Sequence, residues 1–328
     1  MEGTLTEPTA ISDELSGHFA GRPVLITGAS GFIGTHLCHW LGACGASIHA
    51  VSRKPHSQES EHIRWWQADC SDIADVRRVV SSVQPHFVFH LASHVTGARK
   101  LEVVLPTFYD NLASTVHLLT VAAEIGCRRV VLASSSEEPQ TFGGATFACS
   151  PYAAAKWASS IYGRMFHQLF ELPVVMPRIF MTYGPDQKDT QKLVPSVVLN
   201  LLRGETPRLS SGRRCADWIY VDDVVEGLLR AAMTTGIEGC SFDLGTGSLM
   251  SVREIVEQIK KNIDTSVEPA FGALPDRPFE QERPADIAFL SSKLGYTPKV
   301  TIEHGLAQTV SWYRRQLAAI VPQTTGDH

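Results

Sequence analysis

The chain lacks a paired cysteine motif, a long apolar run and an excess of basic charge, and each absence removes a class of protein. Its seven cysteines, at 38, 44, 70, 127, 149, 215 and 240, are scattered and form no C-x-x-C pair. That argues against a zinc knuckle or a disulfide framework, and for a cytoplasmic location. No uninterrupted apolar stretch approaches the roughly 20 residues a bilayer span needs, so no membrane partner is expected. With 29 Lys and Arg against 34 Asp and Glu the formal net charge is −5, and no basic field invites a nucleic-acid backbone. The first twenty residues lack the basic start and apolar core of a secretory signal. Thirteen His are present, but no His/Asp/Glu cluster has helical metal spacing, and no metal is expected. What is there is ordinary for a globular chain: 328 residues, 44% hydrophobic and 19% charged, enough for about two domains.

Short apolar runs alternate with helical patterns. Strands are expected at Pro23–Thr27, Ser47–Ser52, Ile63–Ala68, Phe87–Ala92, Arg129–Ser134 and Val174–Phe180. Helices are expected from Gly31 to about Cys44 and over 72–83, 108–125 and 151–171. Such alternation implies an α/β fold, a doubly wound parallel sheet covered on both faces. Residues 1–20 read as a flexible leader and 318–328 as a tail. A dinucleotide-binding domain is expected over 21–181, with 218–248 returning to it. Within that return, Trp218–Leu229 and Cys240–Leu244 are the segments expected to rejoin the sheet. A smaller α/β C-terminal substrate domain is expected from 182–217 and 249–317, where Pro and Gly thicken.

Between the first strand and its helix lies Thr27-Gly28-Ala29-Ser30-Gly31-Phe32-Ile33-Gly34. Glycines allow the tight turn and the close backbone approach to a pyrophosphate, and the helix N-terminus offers unpaired N–H groups to the phosphates. Gly28, Ser30, Gly31, Phe32, Ile33 and Gly34 are therefore candidate cofactor ligands. The second strand ends Ser52-Arg53-Lys54, without the acid that usually holds a ribose 2′-OH. Arg53 suits a 2′-phosphate, so NADP is expected, with NAD possible. Asp69 is placed to contact the adenine edge.

Ser150-Pro151-Tyr152 opens the helix at 151, with Ser150 as N-cap and Pro151 as first helical residue. Tyr152 and Lys156 stand four apart on one face. A phenol titrates near ~10, and a neighbouring ammonium favours the phenolate and lowers that value. Lys156 is also placed to hold the cofactor ribose. The fifth strand ends Ser134-Ser135-Ser136-Glu137-Glu138, where a hydroxyl can bond a substrate oxygen beside Tyr152. His36 and His39 are expected to flank a helix surface, His90 to be a satisfied core histidine, and one of Trp65 and Trp66 to be buried.

Together, the glycine turn, His90-Leu91-Ala92, the serine-rich strand end and Tyr152-x-x-x-Lys156 resemble an extended short-chain dehydrogenase/reductase of the nucleotide-sugar epimerase/dehydratase type. Arg178-Ile179-Phe180-x-x-Tyr183-Gly184-Pro185, Asp217-Trp218-Ile219-Tyr220-Val221-Asp222-Asp223, Arg277-Pro278 and Leu294-Gly295-Tyr296-Thr297-Pro298 extend the likeness over about residues 22–312. The resemblance implies a Rossmann domain plus a small substrate domain with a nucleotide-diphosphate sugar in the cleft between them. It implies a Ser135/Tyr152/Lys156 triad, with Glu137 at the position of the C5 base of related dehydratases. Cys70, Leu91 and Ala92 join the cofactor set. Arg178, Arg214 and Arg277 become candidate substrate ligands, Arg277 foremost for the diphosphate. It implies a homodimer built on apolar residues of 112–125 and 157–170.

The expected activity is hydride transfer at C4 of an NDP-hexose by an NAD(P)-dependent enzyme, 4-ketoreductase being favoured. NDP-sugar 4-epimerase and 4,6-dehydratase are the alternatives within the class. A non-catalytic NAD(P)-binding regulator on the same fold is the alternative outside it.

Overall fold

The computed structural model describes residues 13–56, 62–139 and 147–320. The chain opens with α1 (Asp13–Phe19), β1 (Pro23–Thr27), α2 (Phe32–Ala43), β2 (Ser47–Ser52), β3 (Ile63–Gln67), α3 (Ile73–Val83) and β4 (Phe87–His90). A 3-10 turn (Leu101–Val103), α4 (Val104–Thr107) and a π-helical turn (Phe108–Ala113) then run into α5 (Ser114–Ile125). β5 (Arg129–Leu132), β6 (Ser134–Ser135), α6 (Pro151–Phe170), β7 (Val174–Ile179) and β8 (Met181–Tyr183) follow. The rest is α7 (Leu193–Leu202), β9 (Cys215–Tyr220), α8 (Val221–Met233), β10 (Ser241–Leu244), β11 (Leu249–Ser251), α9 (Val252–Ile263), α10 (Ala288–Lys293) and α11 (Ile302–Ile320).

The large sheet runs β10-β7-β5-β4-β1-β2-β3, with the short β6 also pairing with β7, and every pairing in it is parallel. Its central strands are buried on both faces, which is why Val24-Leu25-Ile26 and Phe87-Val88-Phe89 read as unbroken apolar runs. One apolar cluster joins the sheet to α1, α2 and α8, and a second joins it to α3, α5 and α6. A third cluster unites α7, α9, α11 and the three-stranded sheet β11-β9-β8. Strand order reverses between β1 and β4. Open α/β sheets bind ligands outside the carboxyl ends of the strands at such a point.

Five expectations are corrected. Residues 13–19 of the expected leader form α1, because Leu15 and Phe19 are buried in the first cluster; residues 1–12 lie outside the described residues. The expected tail begins inside α11, which continues to Ile320; residues 321–328 lie outside the described residues. Trp218–Tyr220 belongs to β9 and pairs with β8, while Cys215–Asp217 of the same strand pair with β11, so only α8 and β10 return to the large sheet. The Trp218 indole N–H donates to Met250 O at 2.9 Å and ties that strand to the small sheet. His36 is buried in α2, with Nδ1 3.1 Å from Asp222 Oδ1 and Nε2 3.0 Å from Pro185 O. Trp65 and Trp66 are both half-buried, as suits β3 at the edge of the sheet.

Candidate active site

β1 delivers the glycine turn to the point of reversal. Thr27 Oγ1 lies 2.7 Å from His90 Nδ1 and accepts from Ala92 N–H at 3.2 Å, which lashes the ends of β1 and β4 together. Gly28 sits at φ +71°, where a side chain is strained, and a Cβ there would meet Ala92 N at 2.6 Å. A Cβ on Gly34 would meet Gly28 O at 2.2 Å. Only a bare backbone fits at both positions. Gly31 is the N-cap of α2 without a side-chain cap, so the first-turn N–H groups face outward. Those features fit a pyrophosphate. Ser30, Phe32 and Ile33 are half-buried around the turn.

The other expected cofactor residues crown adjacent strands. Ser52 ends β2, and its hydroxyl accepts from Lys54 N–H at 3.2 Å. Arg53 extends into solvent, with a side chain 66% exposed and NH1 3.2 Å from Asp110 Oδ2. Asp69, following β3, has Oδ1 engaged in an Asx turn by Ser71 N–H at 2.9 Å and Ser71 Oγ at 2.8 Å. Burial pushes the adjacent Cys70 thiol up to about 12. Leu91 and Ala92 follow β4 and press against Gly28.

Ser135, Tyr152 and Lys156 converge beside this crest. Ser135 occupies β6, paired with Ile179 of β7. Ser150 Oγ caps α6 by accepting from Ala153 N–H at 3.0 Å, and Pro151 takes the first turn. That orients Tyr152 inward, where its phenol lies near the Ser135 and Ser93 hydroxyls, which favour its ionised form. Lys156 Nζ donates to Ala133 O at 2.8 Å and lies 6.0 Å from the Tyr152 ring centroid.

The electrostatics differ from the expectation for the free chain. Burial raises the Tyr152 pKa, outweighing the two serines, so the phenol is protonated at neutral pH. Burial also lowers Lys156, to about 8, with Glu138 opposing the shift. His90 is only half satisfied. Its Nε2 is buried without a hydrogen-bond partner, and burial, followed by the Lys156 charge, pushes the ring down to about 3. His90 is therefore neutral.

An open cleft begins at Ser136 and Glu137, directly after Ser135 in the chain, and is lined also by Arg99, Cys149, Met181, Arg214, Glu280 and Arg283; Ser135, Tyr152 and Lys156 are not among its lining residues. Burial raises the Glu137 carboxyl, while Arg214 and Arg99 oppose that shift. Arg214 pairs with Glu280 at 2.9 Å, and Arg277 NH1 stands 3.8 Å from the other oxygen of the same carboxylate. Arg178 is not among the lining residues. Its Nε donates to the buried Asp243 at 2.6 Å, a carboxylate that Arg283 and Asp286 N–H also engage.

Sequence reasoning missed Arg99, Glu280 and Arg283, which no local periodicity marks. It also missed Asn111, buried in the π-helical turn, whose Oδ1 accepts from His94 N–H at 2.6 Å and whose backbone oxygen accepts from Ser159 Oγ at 3.3 Å. A π turn in an otherwise α-helical stretch is a frequent mark of a functional site, but it has no sequence signature.

The profile of the NAD dependent epimerase/dehydratase family matches residues 24–245. UDP-glucose 4-epimerase of Mycolicibacterium smegmatis is 29% identical over 316 residues, covering 89% of this chain and 98% of that protein. dTDP-glucose 4,6-dehydratase of Haemophilus influenzae is 26% identical over 330 residues, covering 88% and 97%. The crystal structure of UDP-glucose 4-epimerase from Thermotoga maritima with UDP-glucose superposes with a TM-score of 0.82 at 25% identity, covering 90% of this chain and 99% of that one. With the glycine turn, the parallel sheet and the Ser/Tyr/Lys convergence already in place, these likenesses lead to one conclusion: the chain belongs to the NAD dependent epimerase/dehydratase family of extended short-chain dehydrogenase/reductases and is an enzyme of that nucleotide-sugar class.

Proposed function

We propose that the protein exchanges hydride at C4 of an NDP-hexose, with reduction of a 4-keto sugar as the favoured net reaction. The observation that carries the reading is the nearness of Ser135 and Lys156 to Tyr152, with the cleft beginning at the next residue, Ser136. A bound nicotinamide dinucleotide supplies the hydride. Gly28–Gly34, Ser52, Arg53, Asp69, Cys70, Leu91 and Ala92 are the residues we assign to holding it, and Lys156 reaches its ribose. Ser135 orients the substrate oxygen, and Tyr152 gives that oxygen its proton. Arg214 and Arg277 are the proposed grips on the diphosphate, drawn off Glu280 when a phosphate arrives. Arg178 is reassigned from substrate binding to the ion pair with Asp243.

One feature supports reduction. The end of β2 carries no carboxylate, which suits an exchangeable NADPH, so we favour NADP(H) over the NAD of the family description. Epimerisation is the second reading, favoured by the names of the relatives, and Glu137 keeps dehydration in the set. We further propose a homodimer; of the two expected stripes, the one over 112–125 is replaced by 101–109, because Leu118, Leu119, Val121 and Ala122 are buried in the core. Leu101, Leu105, Phe108 and Tyr109 recur at helical spacing, as do Ile161, Tyr162 and Leu169 of α6; all are exposed, and the two segments pack side by side. A cytoplasmic location is supported by seven cysteines that are all free thiols.

The test is to purify the protein, identify any retained dinucleotide by mass, and measure NADPH and NADH binding. NDP-hexoses and their 4-keto derivatives are then assayed. Reduction predicts an empty site that takes up NADPH and consumes it with a 4-keto sugar. Tightly retained oxidised cofactor with epimer formation would replace reduction by epimerisation. Binding of neither dinucleotide would overturn the whole assignment.

A further inference from the structure

We propose that Glu138 is a positioning residue for Lys156, the internal counter-ion that keeps its amine an ammonium beside Tyr152. Only the catalytic consequence of this inference rests on the role proposed for Lys156 above. Glu138 is 5% exposed, and its Oε1 accepts from Ser160 Oγ at 2.7 Å. Ser160 also lies 2.8 Å from Ser134 Oγ. Ser160 stands four residues after Lys156 on α6, so the bond that anchors the carboxylate comes from the helix face that carries the amine. Both groups are buried, and a buried charge persists only where it is paired or hydrogen-bonded. The Lys156 amine has Ala133 O as its hydrogen-bond acceptor, a neutral group that cannot balance the charge.

The titratable groups facing the pair come from three elements. Burial raises the Glu138 carboxyl, opposed by the Ser160 hydroxyl on α6, then by Arg178 on β7 and by Lys156 and Arg164 on α6. Neutral His90 on β4 faces Lys156, and burial lowers the amine while Glu138 raises it. Burial keeps the Tyr152 phenol protonated, and Glu137 and Glu138 add to that effect. The arrangement also gives Arg178 a role away from the cleft: it pairs with Asp243 and favours the ionised form of Glu138.

The experiment is a titration of the Lys156 amine by NMR in the full-length chain carrying ¹⁵N at lysine Nζ, the resonance assigned by its loss in Lys156→Met. Glu138→Gln should lower the midpoint by about one pH unit or more, and Glu138→Asp should restore most of the shift. Should Glu138→Gln fail to fold, as judged by thermal melting, Ser160→Ala keeps the carboxylate but frees it, and should shift the midpoint in the same direction by less. An unchanged midpoint in the folded variant overturns the proposal. NADH and NADPH fluorescence titrations read the consequence: affinity in Glu138→Gln should fall away at lower pH than in the wild type. A wild-type chain that binds neither dinucleotide would sink the assigned role of Lys156, while the amine titration still decides Glu138.

Discussion

Tyr152 is pulled two ways, by burial that holds its proton and by serine hydroxyls that ease its release. Its spacing from Lys156 was readable because four residues make one helical turn, but the sign of its shift was not. The expected lowering assumed that the ammonium dominates, whereas the structure buries both groups and turns the amine toward Ala133 O. Tyr152→Phe should retain dinucleotide binding and lose about 10²–10⁴-fold in turnover; steady-state rates beside a binding titration check this, and near-normal turnover would remove the phenol from the mechanism. Lys156 also writes itself into stability. Its folded pKa lies near 8, below the ordinary lysine range, so above that pH the folded chain releases a proton that the unfolded chain keeps. Stability should therefore rise from this group between about 8 and the unfolded value near ~10.4, and the penalty is fully present below that window. Urea midpoints against pH, wild type minus Lys156→Met, should show that rise; a difference flat across the window would contradict it.

Elements succeeded or failed as expectations according to how local their causes were. α2 and α6 begin where glycine and Ser-Pro signals place them, because caps and glycine turns act within a few residues. Ser150→Ala should cost about 1 kcal/mol through the lost cap, and should also lower kcat because Tyr152 sits in that first turn; chemical denaturation and rate measurements test the two parts. α1 escaped notice since its seven residues carry a weak pattern, and only docking shows why it forms. Phe19 is fully buried and its ring centroid lies 4.9 Å from that of Phe87. Phe19→Ala should cost about 3–5 kcal/mol, read as a fall in the urea midpoint, and a loss below about 1 kcal/mol would mean that α1 is peripheral. The π-helical turn falls in the same class, set by the buried Asn111 and the segments it ties.

At the scale of the molecule, two apolar stripes remain uncovered on neighbouring helical segments. If they form the proposed subunit interface, Ile161→Asp should halve the mass seen by light scattering and leave the monomer folded, because Ile161 is 47% exposed and supports no core. A wild-type protein that is already monomeric would refute the dimer. The strand alternation, the glycine turn at the sheet's point of reversal and the Tyr152/Lys156 pair were all readable from residue order, since each is governed by contacts within a few positions. The partners of the arginines were not. Arg178 meets Asp243 across 65 positions, Arg214 meets Glu280 across 66, and Glu138 finds Ser160 on another element. Charge pairing is a matter of distance in space, and folding alone decides which carboxylate comes within reach of which cation.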